Sequence, residues 1–402
     1  MNYTKNKFRV LILWIGIVVF NLSVAGQENA SNVISKDLKW SERMALSIMK
    51  RAPKAWQIDQ NQKPKWDYKI GLAMLSFEQL YKETKNPVYL EYARGYAEST
   101  INDSGEILNY KLEDYNIDNI NAGKILFDLY DATKEKRYLT AMQTLRKQLE
   151  THPRTNSGGF WHKKIYPNQM WLDGLYMGEP FYARYTAEFE NGEAFNDIAK
   201  QFEEVHKHTL DLKTGLLFHA WDESKKMDWA NKTTGTSPNF WSRSIGWYMM
   251  ALVDVLDYMP KEHPKRKELI KFLNDISIAV LKYQDQSGLW YQVTDAGNKK
   301  GNYLEASGSE MFVYAFAKGA KKGYLSESYK KAALKGFDGI VKKLIKVDAD
   351  GELHITQVCA SAGLGGNPYR DGSYEYYTGE KIKVDNSHGL GPFILAAIEL
   401  DN

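Results

Sequence analysis

Two aspartates hold equivalent places in a repeating helical pattern. Asp118 stands five residues before Gly123, and Asp173 stands five residues before Gly178, each at the opening of an apolar helix. Neighbouring copies of one repeat would bring both carboxyls to the same mouth. Paired carboxylates at a cleft suit general acid–base work on sugars, where one of the two must hold a proton. An aspartate at a helix start also serves as an N-cap, and that plainer role stands beside the catalytic one. The surroundings of Asp173, Trp171-Leu172-Asp173-Gly174-Leu175-Tyr176-Met177, are unusual for a mere cap.

Aromatic and cationic side chains crowd the same segments. Trp161, Trp171, Trp221, Trp241, Trp247 and Trp290 all fall near helix starts. Pyranose rings present apolar C–H faces that stack on such rings, although core packing explains any single tryptophan as well. His162, Lys163, Lys164, His219, Arg243 and Arg370 could hold a carboxylate. Arg243, within Trp241-Ser242-Arg243, would offer a planar fork. The alternatives are a solvated pair at Lys163-Lys164 and a scaffold role for His219. The 8 histidines show no metal-ligand spacing. Cys359, the single cysteine, can form neither an internal disulfide nor a multi-cysteine metal site. No metal and no cofactor is expected. Gly363-Leu364-Gly365-Gly366-Asn367 does not match a phosphate loop and reads as a lid or rim, extended by residues 369–377. No serine nucleophile elbow is present.

The elements that must position these residues repeat six times. Each copy has an apolar helix opening near a glycine, a short loop and a more charged helix. The glycines are Gly71, Gly123, Gly178, Gly246, Gly308 and Gly391. The sixth copy lacks its second helix, while Trp40 to Met49 is an amphipathic helix without a first. The two ends can complete one another, which predicts a closed (α/α)6 toroid, an all-α fold with apolar inner and amphipathic outer helices. An open solenoid is the alternative. Glycine-led segments at 157–162, 214–219, 287–292 and 350–354 alternate like short strands and are expected at the mouth. Nothing between 40 and 402 reads as a linker, which predicts one domain there, after a flexible lead at 26–39.

Composition bounds the rest. The 402 residues are 43% hydrophobic, enough for a sizeable core, and the formal charge is only +3, unlike a nucleic-acid binder. Lys5, Lys7 and Arg9 precede an apolar run from Val10 to Phe20, then Ser23-Val24-Ala25. Residues 1–25 therefore read as a secretory signal peptide, and the run is too short to span a bilayer comfortably. Its removal takes away the whole formal excess of positive charge. The expected location is periplasmic, with no membrane attachment after cleavage and no nucleic-acid partner; the oligomeric state stays open.

The segments around Asp173, His219-Ala220-Trp221, Trp241-Ser242-Arg243-Ser244-Ile245-Gly246-Trp247 and Pro368 to Tyr377 together resemble glycoside hydrolase family 105, the unsaturated rhamnogalacturonyl hydrolases, related to the unsaturated glucuronyl hydrolases of family 88. The resemblance covers roughly residues 40–402. It implies the (α/α)6 fold and an acidic oligosaccharide substrate with a 4,5-unsaturated uronic acid at its non-reducing end. It matches Asp173 to the family's general acid/base and Asp118 to a second active-site aspartate. It matches His219, Trp241 and Arg243 to substrate contacts, Trp171 to a sugar-contacting tryptophan, and His162 and Lys163 more loosely to cationic contacts. Two other readings remain open from the residues alone. One is an inverting glycosidase on saturated glycans, with carboxyls roughly 6.5–9.5 Å apart. The other is a non-catalytic sugar-binding envelope protein.

Overall fold

The apolar helix of each repeat becomes a stave of an inner wall. The computed structural model describes residues 33–401, and the expected leader at 1–25 lies outside them. The helices in chain order begin with α1 (Trp40–Arg51), α2 (Tyr68–Thr84), α3 (Pro87–Thr100), α4 (Asp118–Asn121), α5 (Leu126–Thr133) and α6 (Lys136–Thr151). They continue with α7 (Leu172–Phe189), α8 (Phe195–Thr209), α9 (Ser242–Tyr258), α10 (Arg266–Leu281), α11 (Ala306–Lys321) and α12 (Ser328–Lys343). A short rim helix, α13 (Tyr374–Gly379), precedes α14 (Ser387–Leu400).

The staves α2, α4–α5, α7, α9, α11 and α14 pack side by side in that order, and α14 returns onto α2. This closes the (α/α)6 toroid. A 3-10 segment, Ala122–Ile125, joins α4 to α5 within the second stave. The first and last barrel helices, α1 and α14, pack together as the sixth hairpin. Composition decides which helix goes inside. Every residue from Ser242 to Leu256 in α9 and from Ala306 to Ala320 in α11 is buried. The outer α8 buries a stripe instead, Phe195, Ile198, Ala199, Phe202, Val205 and Thr209, at the spacing of one helix face.

Hairpin repetition also fixes polarity: the inner helices all start at one end of the ring. Most of the predicted strand segments at that end are turns. Gly158, Gly215, Gly288 and Gly351 each take positive φ, so the chain reverses at once and leaves single rungs such as Arg154 to Phe160 and Leu210 to Leu217. At Gly288 a Cβ would also collide with the Lys335 backbone. Real pairing is short. β1 (Gln169–Trp171) pairs antiparallel with β2 (Ala220–Asp222), with Trp171 opposite Ala220. β3 (Ile345–Val347) pairs with β4 (Leu353–Ile355), and β5 (Val358–Cys359) with β6 (Ile382–Lys383).

Candidate functional site

Asp118 is the first residue of α4 and Asp173 the second of α7, so both enter the mouth from first turns. Neither helix start has a side-chain cap, which leaves both carboxyls free of the plainer role. They line one cavity of about 180 Å³ with Tyr68, His162, Lys163, Tyr166, Trp171, Ser361 and Arg370. Larger cavities of 380 and 530 Å³ open elsewhere, but neither contains either aspartate. Chemistry, rather than size, marks the smaller one.

The two carboxyls have different company. Lys163 Nζ lies 2.5 Å from Asp118 Oδ2, and His162 Nε2 lies 3.5 Å from Oδ1. Burial alone would lift the Asp118 carboxyl, but Lys163, with His162 beside it, outweighs burial and holds it below its ordinary range. Asp118 is therefore a fixed carboxylate. Among the described residues Asp173 has no lysine or arginine at contact distance; its buried oxygen Oδ2 lies 3.1 Å from His219 Nε2.

Several expected contacts take other positions. His162 is buried, and loss of hydration lowers its imidazole to about 4, so it is neutral near pH 7 and no cationic contact. It stacks on Trp171 at 4.4 Å and 9°. Tyr166 also stacks on Trp171, at 5.1 Å and 14°, and the indole donates to Gln169 Oε1. Trp171 is thus a packed wall of the cavity, with little ring left for a sugar. His219 is fully buried behind Asp173 and does not line this cavity.

Trp241 and Arg243 are placed similarly. Both are buried and absent from the cavity lining. Trp241 donates to Gln292 Oε1 and packs against His219 and Tyr377. Arg243 donates to Ser307 Oγ and to the Cys359 carbonyl, and it lies 3.7 Å from Glu305. A guanidinium so engaged ties the rim to α11. Lys163 and Arg370 line the cavity. Arg370 donates through Nε to Gly365 O and through Nη2 to Tyr166 Oη and Leu364 O, leaving Nη1 without a partner among the described residues.

The residue reading missed Tyr68, Tyr166, Ser361 and Tyr377. Tyr68 was accessible to the rule that first turns face the mouth, since it opens α2. Its hydroxyl meets His388 Nε2 at 2.8 Å. Ser361 and Tyr377 carried no such signal, because they reach the site from the irregular rim.

The model of Glycosyl Hydrolase Family 88 matches residues 40–402. The chain belongs to that family. A family 105 glycoside hydrolase from C. acetobutylicum is 46% identical, with TM-score 0.87 over 90% of this chain and 99% of its own. The family 105 resemblance read from the motifs is thereby upheld. The unsaturated rhamnogalacturonyl hydrolase YesR of Bacillus subtilis is 27% identical over 262 residues, 64% of this chain and 71% of that protein. An unsaturated glucuronyl hydrolase from Bacillus sp. GL1 shares the toroid, with TM-score 0.67 at 12% identity over 90% of this chain and 95% of its own. Family 88 membership makes the protein a glycosidase, and its toroid is the family's fold.

Proposed function

We propose that the protein removes a 4,5-unsaturated uronic acid from the non-reducing end of oligosaccharides, of the kind that polysaccharide lyases generate. One observation carries this reading. A carboxyl with no lysine or arginine at contact distance among the described residues, Asp173, shares a cavity with a fixed carboxylate and two cations, Lys163 and Arg370. Arg370 Nη1 is the open donor for the uronate carboxylate. Asp118, held by Lys163, accepts from sugar hydroxyls and orients the ring.

The C4=C5 bond of such a sugar is a vinyl ether. Asp173 gives its proton to C4, and the double-bond electrons form the new C–H bond. The cation left at C5 is shared with the ring oxygen. Water then adds at C5 and returns a proton to Asp173, and the resulting hemiketal collapses with release of the aglycone. One carboxyl serves both steps because the glycosidic bond is never attacked directly.

The test uses a lyase-generated disaccharide and follows its enol-ether absorbance. The wild-type protein is expected to bleach it, and Asp173→Asn to lose at least about 100-fold in kcat. No bleaching by wild type across rhamnogalacturonan, pectin, ulvan and glycosaminoglycan products would overturn the reading. Turnover of saturated substrates instead would point to an inverting glycosidase.

A further inference from the structure

The rim helix α13 brings a tyrosine to the back of the site. Tyr377 Oη lies 2.6 Å from His219 Nδ1, and the other ring nitrogen faces Asp173 Oδ2 at 3.1 Å. Both Tyr377 and His219 are fully buried. We infer that Tyr377 is a positioning residue that fixes the tautomer of His219 and so decides which Asp173 oxygen carries the catalytic proton. The inference rests on the acid/base role proposed for Asp173.

The hydroxyl of Tyr377 has His219 Nδ1 as its hydrogen-bond partner, and a buried O–H left without an acceptor is costly. Burial also keeps the phenol protonated, well above its ordinary range. Tyr377 therefore donates to Nδ1, which leaves the imidazole hydrogen on Nε2. That N–H lies 3.1 Å from Oδ2 of Asp173, and both atoms are buried with no hydrogen-bond partner among the described residues, so each is the nearest group that can satisfy the other. Once Oδ2 accepts from this N–H, the transferable proton belongs on Oδ1. The same N–H steadies the carboxylate after the proton has left. Metal-ligating histidines are oriented in the same manner, where the hydrogen-bond partner of one ring nitrogen fixes the other.

The surroundings keep this relay in place. Trp241 packs on His219 at 4.9 Å and on Tyr377 at 5.9 Å. Gln292 Nε2 donates to the Tyr377 carbonyl. The titratable and charged groups facing the relay are His162 from the 160s loop, Tyr68 from α2, and Cys359, Arg370 and Tyr376 from the rim. Tyr377→Phe removes the donor and keeps the ring.

Two measurements test the inference, and the first needs no substrate. In protein labelled with 15N-histidine, the His219 signal is assigned by its loss in His219→Ala. Wild type is expected to show the Nε2–H form, and Tyr377→Phe a mixture of tautomers. An Nδ1–H form in wild type, or no change in the variant, would overturn the inference. If Tyr377→Phe fails to fold, the wild-type tautomer alone decides.

The second measurement is the pH profile of turnover. Tyr377→Phe should lose roughly 10–100-fold in kcat with KM within about threefold. Its profile should move to higher pH, because a carboxylate that loses a donor holds its proton more tightly. In a His219→Ala background the same change should cost nothing more. A fully additive loss, or an unshifted profile, would sink the idea. Should wild type prove inactive on every unsaturated substrate, the functional reading fails, and the tautomer measurement still judges Tyr377.

Discussion

His162 carries a consequence that reaches beyond the site. Its imidazole is lowered to about 4 by burial, against an ordinary value of 6.5, and His152 is lowered to about 4 for the same reason. Between those two pH values the unfolded chain binds more protons than the native one. The stability due to each neutral histidine is complete above about pH 6.5 and is lost as pH falls toward 4. The slope is about 1.4 kcal/mol per pH unit for each group. Urea unfolding at pH 7.0 and 4.5 should show this fall, and His162→Asn should make it shallower. An unchanged slope in that variant would remove His162 from the account. Asp118 acts in a lower window, since a depressed carboxylate keeps its stabilising ion pair until acid protonates it. At this scale Asp173, Asp118, Lys163 and Arg370 were legible, because their types and repeat positions point to the mouth. The burial of His219, Trp241 and Arg243 was not, because a residue near a helix start can face the cavity or the wall behind it.

At the scale of elements, Glu305 joins pieces that are far apart in sequence. As the N-cap of α11 it accepts from Gly308 N at 2.6 Å. It also accepts from Ser307 Oγ and from Cys359 N on β5, and faces the buried Arg243. Removing it unties the rim from the inner wall and leaves a guanidinium without its countercharge. Glu305→Ala should cost about 3 kcal/mol or more, measured by denaturant unfolding. A loss of under about 1 kcal/mol would show that the cap and ion pair are dispensable. The helices themselves were readable to within a few residues, since the apolar period and the Gly and Pro breaks set their limits. The mouth strands were not. Alternation over five or six residues looks the same in a strand and in a turn with one rung, and the positive φ at Gly158, Gly215 and Gly288 decides for the turn.

The whole molecule sets how an acidic substrate arrives. A formal charge of +3 over 402 residues gives no general basic field. On the proposed function, attraction of a uronate falls to Lys163 and Arg370, which line the cavity, where salt screens poorly. Between about 0.05 and 0.3 M NaCl, kcat/KM on an unsaturated disaccharide should change by less than about threefold. A fall of tenfold or more would show long-range steering that the charge count does not supply.

The sequence by itself determined the ring. Six copies of one hairpin, with ends that complete each other, leave few ways to bury six apolar helices, and closure of α14 on α2 is the one that leaves no open end. It also determined that Asp118 and Asp173 meet, since equivalent positions in neighbouring repeats share one end of the barrel. Tertiary structure alone decided which side chains face the cavity and which stand behind it. Tyr377 and Ser361 come from a rim outside the repeat, so no periodicity places them. Arg243 and His219 take their positions from partners 116 and 158 residues away, Cys359 and Tyr377. Contacts at that separation are set by how the rim folds back over the mouth, which local pattern does not encode.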